Sequence, residues 1–261
     1  IDLKNSSGRQ LLLDLAKKCD IFVENYGPDV MESLNIGPDV LAEINQKLIY
    51  GRIKGFGLSG PYAKYNAYDW VAQASAGSFS VTGDPLGPPQ IVGPTYGDSG
   101  TGIQMALGIL AAYIESERTG LGQMIEISMQ EAVAIFMKTL DLLTWGKEPA
   151  QRYGTKRGRT GGGLYRSKGE GKNDYVMIFP VTLKQQDTVF TVIGKPELLV
   201  DPRFSTLEDR VENEPILREI IQDWALQHTK QEAMTLLAEA GVPASYVFDS
   251  LDLFKDPHLK E

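Results

Sequence analysis

Apolar residues recur along this chain with two alternating periods. In residues 8–18, Leu11, Leu12, Leu15 and Ala16 recur at helical spacing and two lysines close the segment, which predicts an amphipathic helix. Residues 20–24 follow as a short buried strand. The tetrapeptide Gly27-Pro28-Asp29-Val30 returns as Gly37-Pro38-Asp39-Val40. Both read as helix starts, with proline at the first helical position and an acidic residue behind it. Residues 47–54 form the next strand. Helix, strand, helix, strand argues for a parallel sheet with crossover helices.

Beyond the glycine-rich stretch 55–61, the pattern predicts a helix over 68–76 and a loop over 82–94. A helix over 99–117 carries Ile103, Met105, Ala106, Leu107, Ile109 and Leu110, with almost no polar face, and is therefore expected to be buried. A turn, a strand over 124–129 and a further apolar helix over 130–145 complete this part. Residues 147–172 change character: Gly, Arg and Lys are frequent and Gly161, Gly162 and Gly163 read as a flexible run. A second unit is then expected, with strands over 175–179 and 242–248 and helices over 185–193 and 215–227. Thr229 and Glu232 form a capping box opening another helix that Gly241 ends. The organisation read from the pattern is residues 1–147 as a large α/β domain, 148–172 as a linker and 173–261 as a small α+β domain. Ile1 to Lys4 reads as the end of a strand already under way, so the chain reads as part of a longer one.

Composition narrows the chemistry. The 261 residues are 42% hydrophobic and 23% charged, as in a globular protein. No run of about 18 apolar residues offers a membrane span. The net charge of −8 disfavours phosphate-driven nucleic-acid binding. One cysteine, Cys19, rules out an intramolecular disulfide and fits a reducing cytoplasm. Two histidines, His228 and His258, leave no set for the common zinc sites, and a histidine-based triad would have to use one of them. Gly55-Phe56-Gly57 lacks the full dinucleotide fingerprint and a following helix.

Three places hold polar residues in unusual company. Asp98 stands between a glycine-rich loop and the apolar helix. It is either an N-cap or a carboxylate held at the mouth of a site, where it can act as a nucleophile toward an activated acyl group. Tyr68 and Asp69 open a helix, either as cap residues or as a pair that orients a neighbouring acyl group. Asn25 and Tyr26 follow a strand, either as turn and core residues or as a hydrogen bond and an aromatic face for a planar group. The run at 161–163 is either a linker or a mobile lid.

An ordered set of short motifs then acquires meaning. It comprises Asp2-Leu3-Lys4, Gly8-Arg9, Val23-Glu24-Asn25-Tyr26-Gly27-Pro28, Gly55-Phe56-Gly57, Gly60-Pro61-Tyr62, Tyr68-Asp69 with Ala72-Gln73, Gly97-Asp98-Ser99, Arg118-Thr119-Gly120 and Gly163-Leu164-Tyr165. In this order they resemble the family III CoA-transferases of the CaiB/BaiF type over nearly the whole chain. The resemblance implies a Rossmann-like large domain with a small α+β domain, and two chains interlocked as a homodimer. It implies a cytoplasmic transferase that moves CoA from an acyl-CoA thioester to a small carboxylic acid. Coenzyme A enters as substrate, with no permanently bound cofactor, metal, nucleic acid or membrane partner. Asp98 aligns with the nucleophile, Tyr68 and Asp69 with positions near the acyl group, and Asn25, Tyr26 and Val30 with the CoA site. Gly161, Gly162 and Gly163 resemble a lid loop. Several members carry Arg where Ser33 stands, meeting a CoA phosphate; Lys54 is expected to make a phosphate contact here. Two other readings stand beside transfer. One is an α-methylacyl-CoA racemase, which in this family needs a histidine at the Tyr68 position. The other is a non-catalytic CoA-binding protein.

Overall fold

The computed structural model describes residues 1–144, 146–156 and 160–261, and only the backbone over 138–144. It divides into two units, Ile1–Arg152 and Tyr153–Glu261.

The first unit is built on a parallel sheet. Helix α1 (Ser6–Ala16) leads to β1 (Ile21–Glu24), then α2 (Val30–Ser33), α3 (Pro38–Ile44) and β2 (Ile49–Lys54). Helices α4 (Asp69–Ser75) and α5 (Thr101–Thr119) precede β3 (Met124–Ser128), and α6 (Met129–Thr144) follows. The strands lie in the order β1-β2-β3 and pair in parallel, with Ile21 opposite Ile49 and Ile53 opposite Ile127. Alternation along β2 puts Tyr50, Arg52 and Lys54 on one face. There Tyr50 packs with Ala16, Leu41 and Leu48 from α1 and the α3 region. On the other face, at Gly51, Met105 of α5 comes so close that an added Cβ would lie 2.9 Å from its sulfur. Ala72, Met129 and Val133 close a second small cluster between α4 and α6.

Several expectations are corrected here. Ile1 to Lys4 forms a turn, not a strand, because the Asp2 side chain accepts the Lys4 N–H and its carbonyl accepts that of Asn5. Of the β1 side chains only Glu24 is buried, because β1 is an edge strand of this sheet. Pro38 does occupy the first turn of α3, but Pro28 lies outside α2, whose N-cap is Asp29 at φ 59°. The apolar α5 is not wrapped: it buries Thr101, Met105, Ala112 and Ser116, whereas Ile103, Leu107, Leu110 and Ile114 are each more than half exposed. Only one stripe of a helix can face a single sheet, and among the described residues of the first unit nothing covers the opposite stripe. No helix among the described residues is long and apolar enough to cross a membrane.

The second unit carries an antiparallel sheet, β4 (Gly163–Arg166), β5 (Tyr175–Ile178) and β6 (Ala244–Tyr246), in that order. Helices α7 (Leu183–Val192), α8 (Leu207–Glu212), α9 (Glu214–Ala225) and α10 (Lys230–Glu239) separate β5 from β6, and α11 (Ser250–Lys255) follows. One continuous core runs from Tyr165, Val176 and Ile178 on the strands to Phe190, Leu217, Ile221 and Leu237 on the helices. Each such side chain contributes on the order of 1.5–3 kcal/mol through burial. Thr229 and Glu232 form the expected capping box, and Gly241 ends the helix at φ 84°.

The stretch expected as a linker contains β4, and its glycines are not a flexible run. Gly161, Gly162 and Gly163 are all buried. The Tyr165 hydroxyl donates to the Gly161 carbonyl and Arg218 to that of Gly162 at 2.8 Å. Burial pushes the Tyr165 hydroxyl well above the usual tyrosine range, so it remains a donor. Glycine is needed at 163 because the backbone sits at φ 146° and a Cβ would stand 2.5 Å from the Thr155 carbonyl oxygen.

Replacing Gly163 by Ala is therefore expected to destabilise the protein by more than about 1 kcal/mol, read from urea unfolding. Acid is expected to weaken the second unit too. Hydrogen bonds from the Thr229 backbone and hydroxyl hold Glu232 below its usual pKa, the Thr206 hydroxyl does so for Asp209, and the Lys230 ammonium does so for Asp252. A depressed folded pKa gives stability that is complete above the unfolded carboxylate range and lost as pH falls through the folded one. Melting curves from pH 7 to pH 3 should show this loss, and Glu232→Gln should flatten part of it.

Candidate functional site

In the first unit the carboxyl ends of β1 and β2 open onto a cleft of about 390 Å³. Parallel sheets place ligands at such strand ends, because the loops there can diverge around them. Asn25, Tyr26, Lys54, Tyr68 and Asp98 all line it, with Tyr65, Asn66 and Thr101. The fold thus brings together five of the residues singled out in the sequence, which span 74 positions from Asn25 to Asp98. Val30 opens α2 and is not among the lining residues; Asp69 lies buried behind them. Gly161, Gly162 and Gly163 belong to the second unit.

Asp98 sits in a π-helical turn, Tyr96–Gly100, directly ahead of α5. It is not the N-cap: that position is Gly100, and no side chain caps the helix. The Asp98 residue is exposed, while its backbone N–H points inward and donates to Asp69 Oδ1 at 3.1 Å. The other Asp69 oxygen accepts from Gln73 Nε2 at 2.8 Å. That amide also donates to the Pro94 carbonyl at 3.0 Å, and its oxygen accepts the Ser78 hydroxyl at 3.3 Å. Asp69 and Tyr68 thus stand at the start of α4, but neither side chain caps it. Tyr68 is the N-cap of α4 without a side-chain bond and is largely exposed to the cleft, and Asp69 is a buried acceptor. Gly97 lets these elements meet: a Cβ there would lie 2.6 Å from the Asp69 carbonyl oxygen. The Thr101 hydroxyl donates to the Gly97 carbonyl and closes the turn.

Lys54, expected to contact a phosphate, is engaged by groups of the protein itself. It is 4% exposed, and its ammonium donates to Glu24 at 2.9 Å and to the Tyr26 carbonyl at 2.6 Å. The Gly27 carbonyl lies 3.4 Å away on the same side. Glu24 also accepts from Arg52 Nε at 3.0 Å, and Arg52 pairs with Glu32 at 2.8 Å. Burial works against the Arg52 charge, but the bonds to Glu32 and Glu24 outweigh it and raise its pKa. Glu24 and Arg52 escaped the sequence reading, although charged residues inside the otherwise apolar strand segments Ile21–Glu24 and Ile49–Lys54 were a visible signal. Tyr65 was missed as well; it packs edge-on to Phe56 and tilted against Tyr62, with ring centres 6.4 and 5.5 Å away.

The model of CoA-transferase family III matches residues 1–261. This chain belongs to CoA-transferase family III. It is 32% identical to the formyl-CoA:oxalate CoA-transferase of Streptomyces coelicolor, aligned over 99% of this chain and 66% of that protein. With the enzyme of the same name from Escherichia coli ATCC 8739 it shares 32% identity over 100% of this chain and 68% of the relative. The chain thus spans about two thirds of the length of these relatives. Among solved structures it is similar to a CAIB/BAIF family protein from Brucella suis, with a TM-score of 0.86 and 28% identity, covering 99% of this chain and 68% of that one. Rv3272 of Mycobacterium tuberculosis gives a TM-score of 0.85 at 26% identity, covering 100% of this chain and 69% of that one. The α/β fold of the family III chain, with its parallel sheet, agrees with these neighbours.

Asp69 ties the family III cleft to its interior. Asp69→Asn would turn an acceptor into a donor facing the Gln73 amide, whose own bonds to Pro94 and Ser78 oppose a flip. Urea unfolding should show a loss of about 1–3 kcal/mol, the cost of a buried polar group left unsatisfied.

Proposed function

We propose that this protein transfers CoA between an acyl-CoA thioester and a small carboxylic acid, with Asp98 as nucleophile. Asp98 is the observation that carries the reading: an exposed carboxylate, free of capping duty, standing at the head of a 19-residue helix in the cleft. Its membership in family III and its likeness to formyl-CoA:oxalate CoA-transferases support CoA chemistry there.

In the proposed sequence, an Asp98 carboxylate oxygen attacks the thioester carbon. The C–S bond breaks, CoA leaves as thiolate, and an acyl-aspartyl anhydride remains. The thiolate then attacks the aspartyl carbon, releasing the donor as its carboxylate and leaving an aspartyl-CoA thioester. The acceptor carboxylate attacks this thioester, freeing the thiolate again and forming a second anhydride. Attack of the thiolate on the acceptor's acyl carbon gives the new acyl-CoA and restores Asp98. A carboxylate is a modest nucleophile in water and a better one when partly desolvated. Each tetrahedral intermediate is anionic, and the N-terminal end of α5 is the favourable end of its dipole for such charge. Tyr68 flanks the acyl group, and Asn25 and Tyr26 face the CoA moiety. Two such chains interlocked as a homodimer would cover apolar surface of the kind that α5 leaves exposed.

The test uses the full-length gene product with a panel of acyl-CoA thioesters and hydroxylamine. A hydroxamate mapped to Asp98 by mass spectrometry is the expected outcome. Asp98→Ala should lower transfer at least about 10³-fold while CoA affinity changes little. Near-normal turnover in that variant would sink the assignment.

A further inference from the structure

The buried charges behind the cleft converge on one piece of backbone. Glu24 and Arg52 are direct cross-strand partners on β1 and β2, and Lys54 lies one same-face position beyond, where β1 has already ended. Glu24, Arg52 and Lys54 are 3%, 4% and 4% exposed, an expensive arrangement unless every group is paired. Here every group is paired, and the set with Glu32 holds two anions and two cations. What the set grips is the peptide of Tyr26. Its N–H donates to Glu24 Oε2 at 2.8 Å and its carbonyl accepts from Lys54 at 2.6 Å. Both backbone groups of one loop residue thus end on the same buried ion pair. Tyr26 itself presents a half-exposed ring to the cleft, beside Asn25. The lysine's donors thus point to Glu24 and to the carbonyls of Tyr26 and Gly27.

We propose that Glu24 and Lys54 are positioning residues, which clamp the Tyr26 peptide so that Asn25 and Tyr26 are held ready for the CoA moiety. The assignment rests on the CoA reading above. It predicts that loosening the clamp weakens CoA binding without slowing the chemistry at Asp98, since a pre-ordered loop lowers the cost of binding.

The single variant Lys54→Met leaves a surplus buried negative charge and is liable to fail in folding. The decisive variant is therefore Glu24→Gln with Lys54→Met, which keeps the charge balanced through Arg52 and Glu32 and removes the donor to the Tyr26 carbonyl. Measured on the full-length protein, this variant should melt within a few degrees of wild type. Its Kd for CoA by calorimetry, and its KM for the acyl-CoA, should rise about tenfold, with kcat within about twofold, as expected for one charge-assisted hydrogen bond lost to the binding loop. An unchanged Kd, or a loss confined to kcat, overturns the positioning role. Calorimetry needs no turnover, so the two readings fail separately. Wild-type protein that binds CoA but transfers nothing overturns transfer alone. Wild-type protein that binds no CoA overturns both.

Discussion

The cleft depends on one buried carboxylate. Asp69 opens α4, yet it serves the turn 29 residues further on, where it accepts the Asp98 N–H. Its second oxygen is satisfied by Gln73, which is itself fully buried and joined to Pro94 and Ser78. A carboxylate in such a place is tolerable only because its lone pairs are filled. The orientation of Asp98 follows from this: with its N–H drawn inward, its side chain is left to the open side of the turn. Gly97 is the matching steric condition, since any side chain there would separate the two elements.

The same logic recurs on the neighbouring strands with opposite signs. Asp69 fixes a turn by accepting from its backbone; Lys54 fixes another by donating to a carbonyl. Both polar centres lie just under residues that face the cleft, so the exposed surface of the site is shaped from below. The two centres are built differently. Asp69 is stabilised by neutral donors, whereas Glu24, Arg52, Lys54 and Glu32 stabilise one another as ions.

Much of this was legible in the sequence, for identifiable reasons. Helices and strands with strong periodicity fall within a few residues of their expected places, and the Thr229 capping box is as written. The ordered motifs carried the family, and they also carried Asn25, Tyr26, Tyr68 and Asp98 to one cleft. Failures came where a local signal had a non-local answer. The apolar composition of α5 suggested burial, but burial depends on what packs against each stripe. Gly161 to Gly163 suggested flexibility, whereas a side chain at Gly161 would press on Leu217 and Ile221 and one at Gly163 on Thr155. The ion pair of Lys54 was invisible because its partner Glu24 lies 30 residues away on another strand. The π-helical turn at Asp98 left no mark in the periodicity.

The distribution of apolar contacts has a dynamic consequence. The second unit joins β4, β5, α7, α9 and α10 through a single cluster, so none of these elements can leave without exposing side chains of the others. The first unit is held by separate small clusters on the two sides of its sheet. Cooperative opening follows shared burial. Amide protons of β4 and β5 should therefore exchange together in one large event, whereas those of α1 and α4 exchange through separate local openings. The half that contains the cleft is, by this measure, the half able to move in pieces.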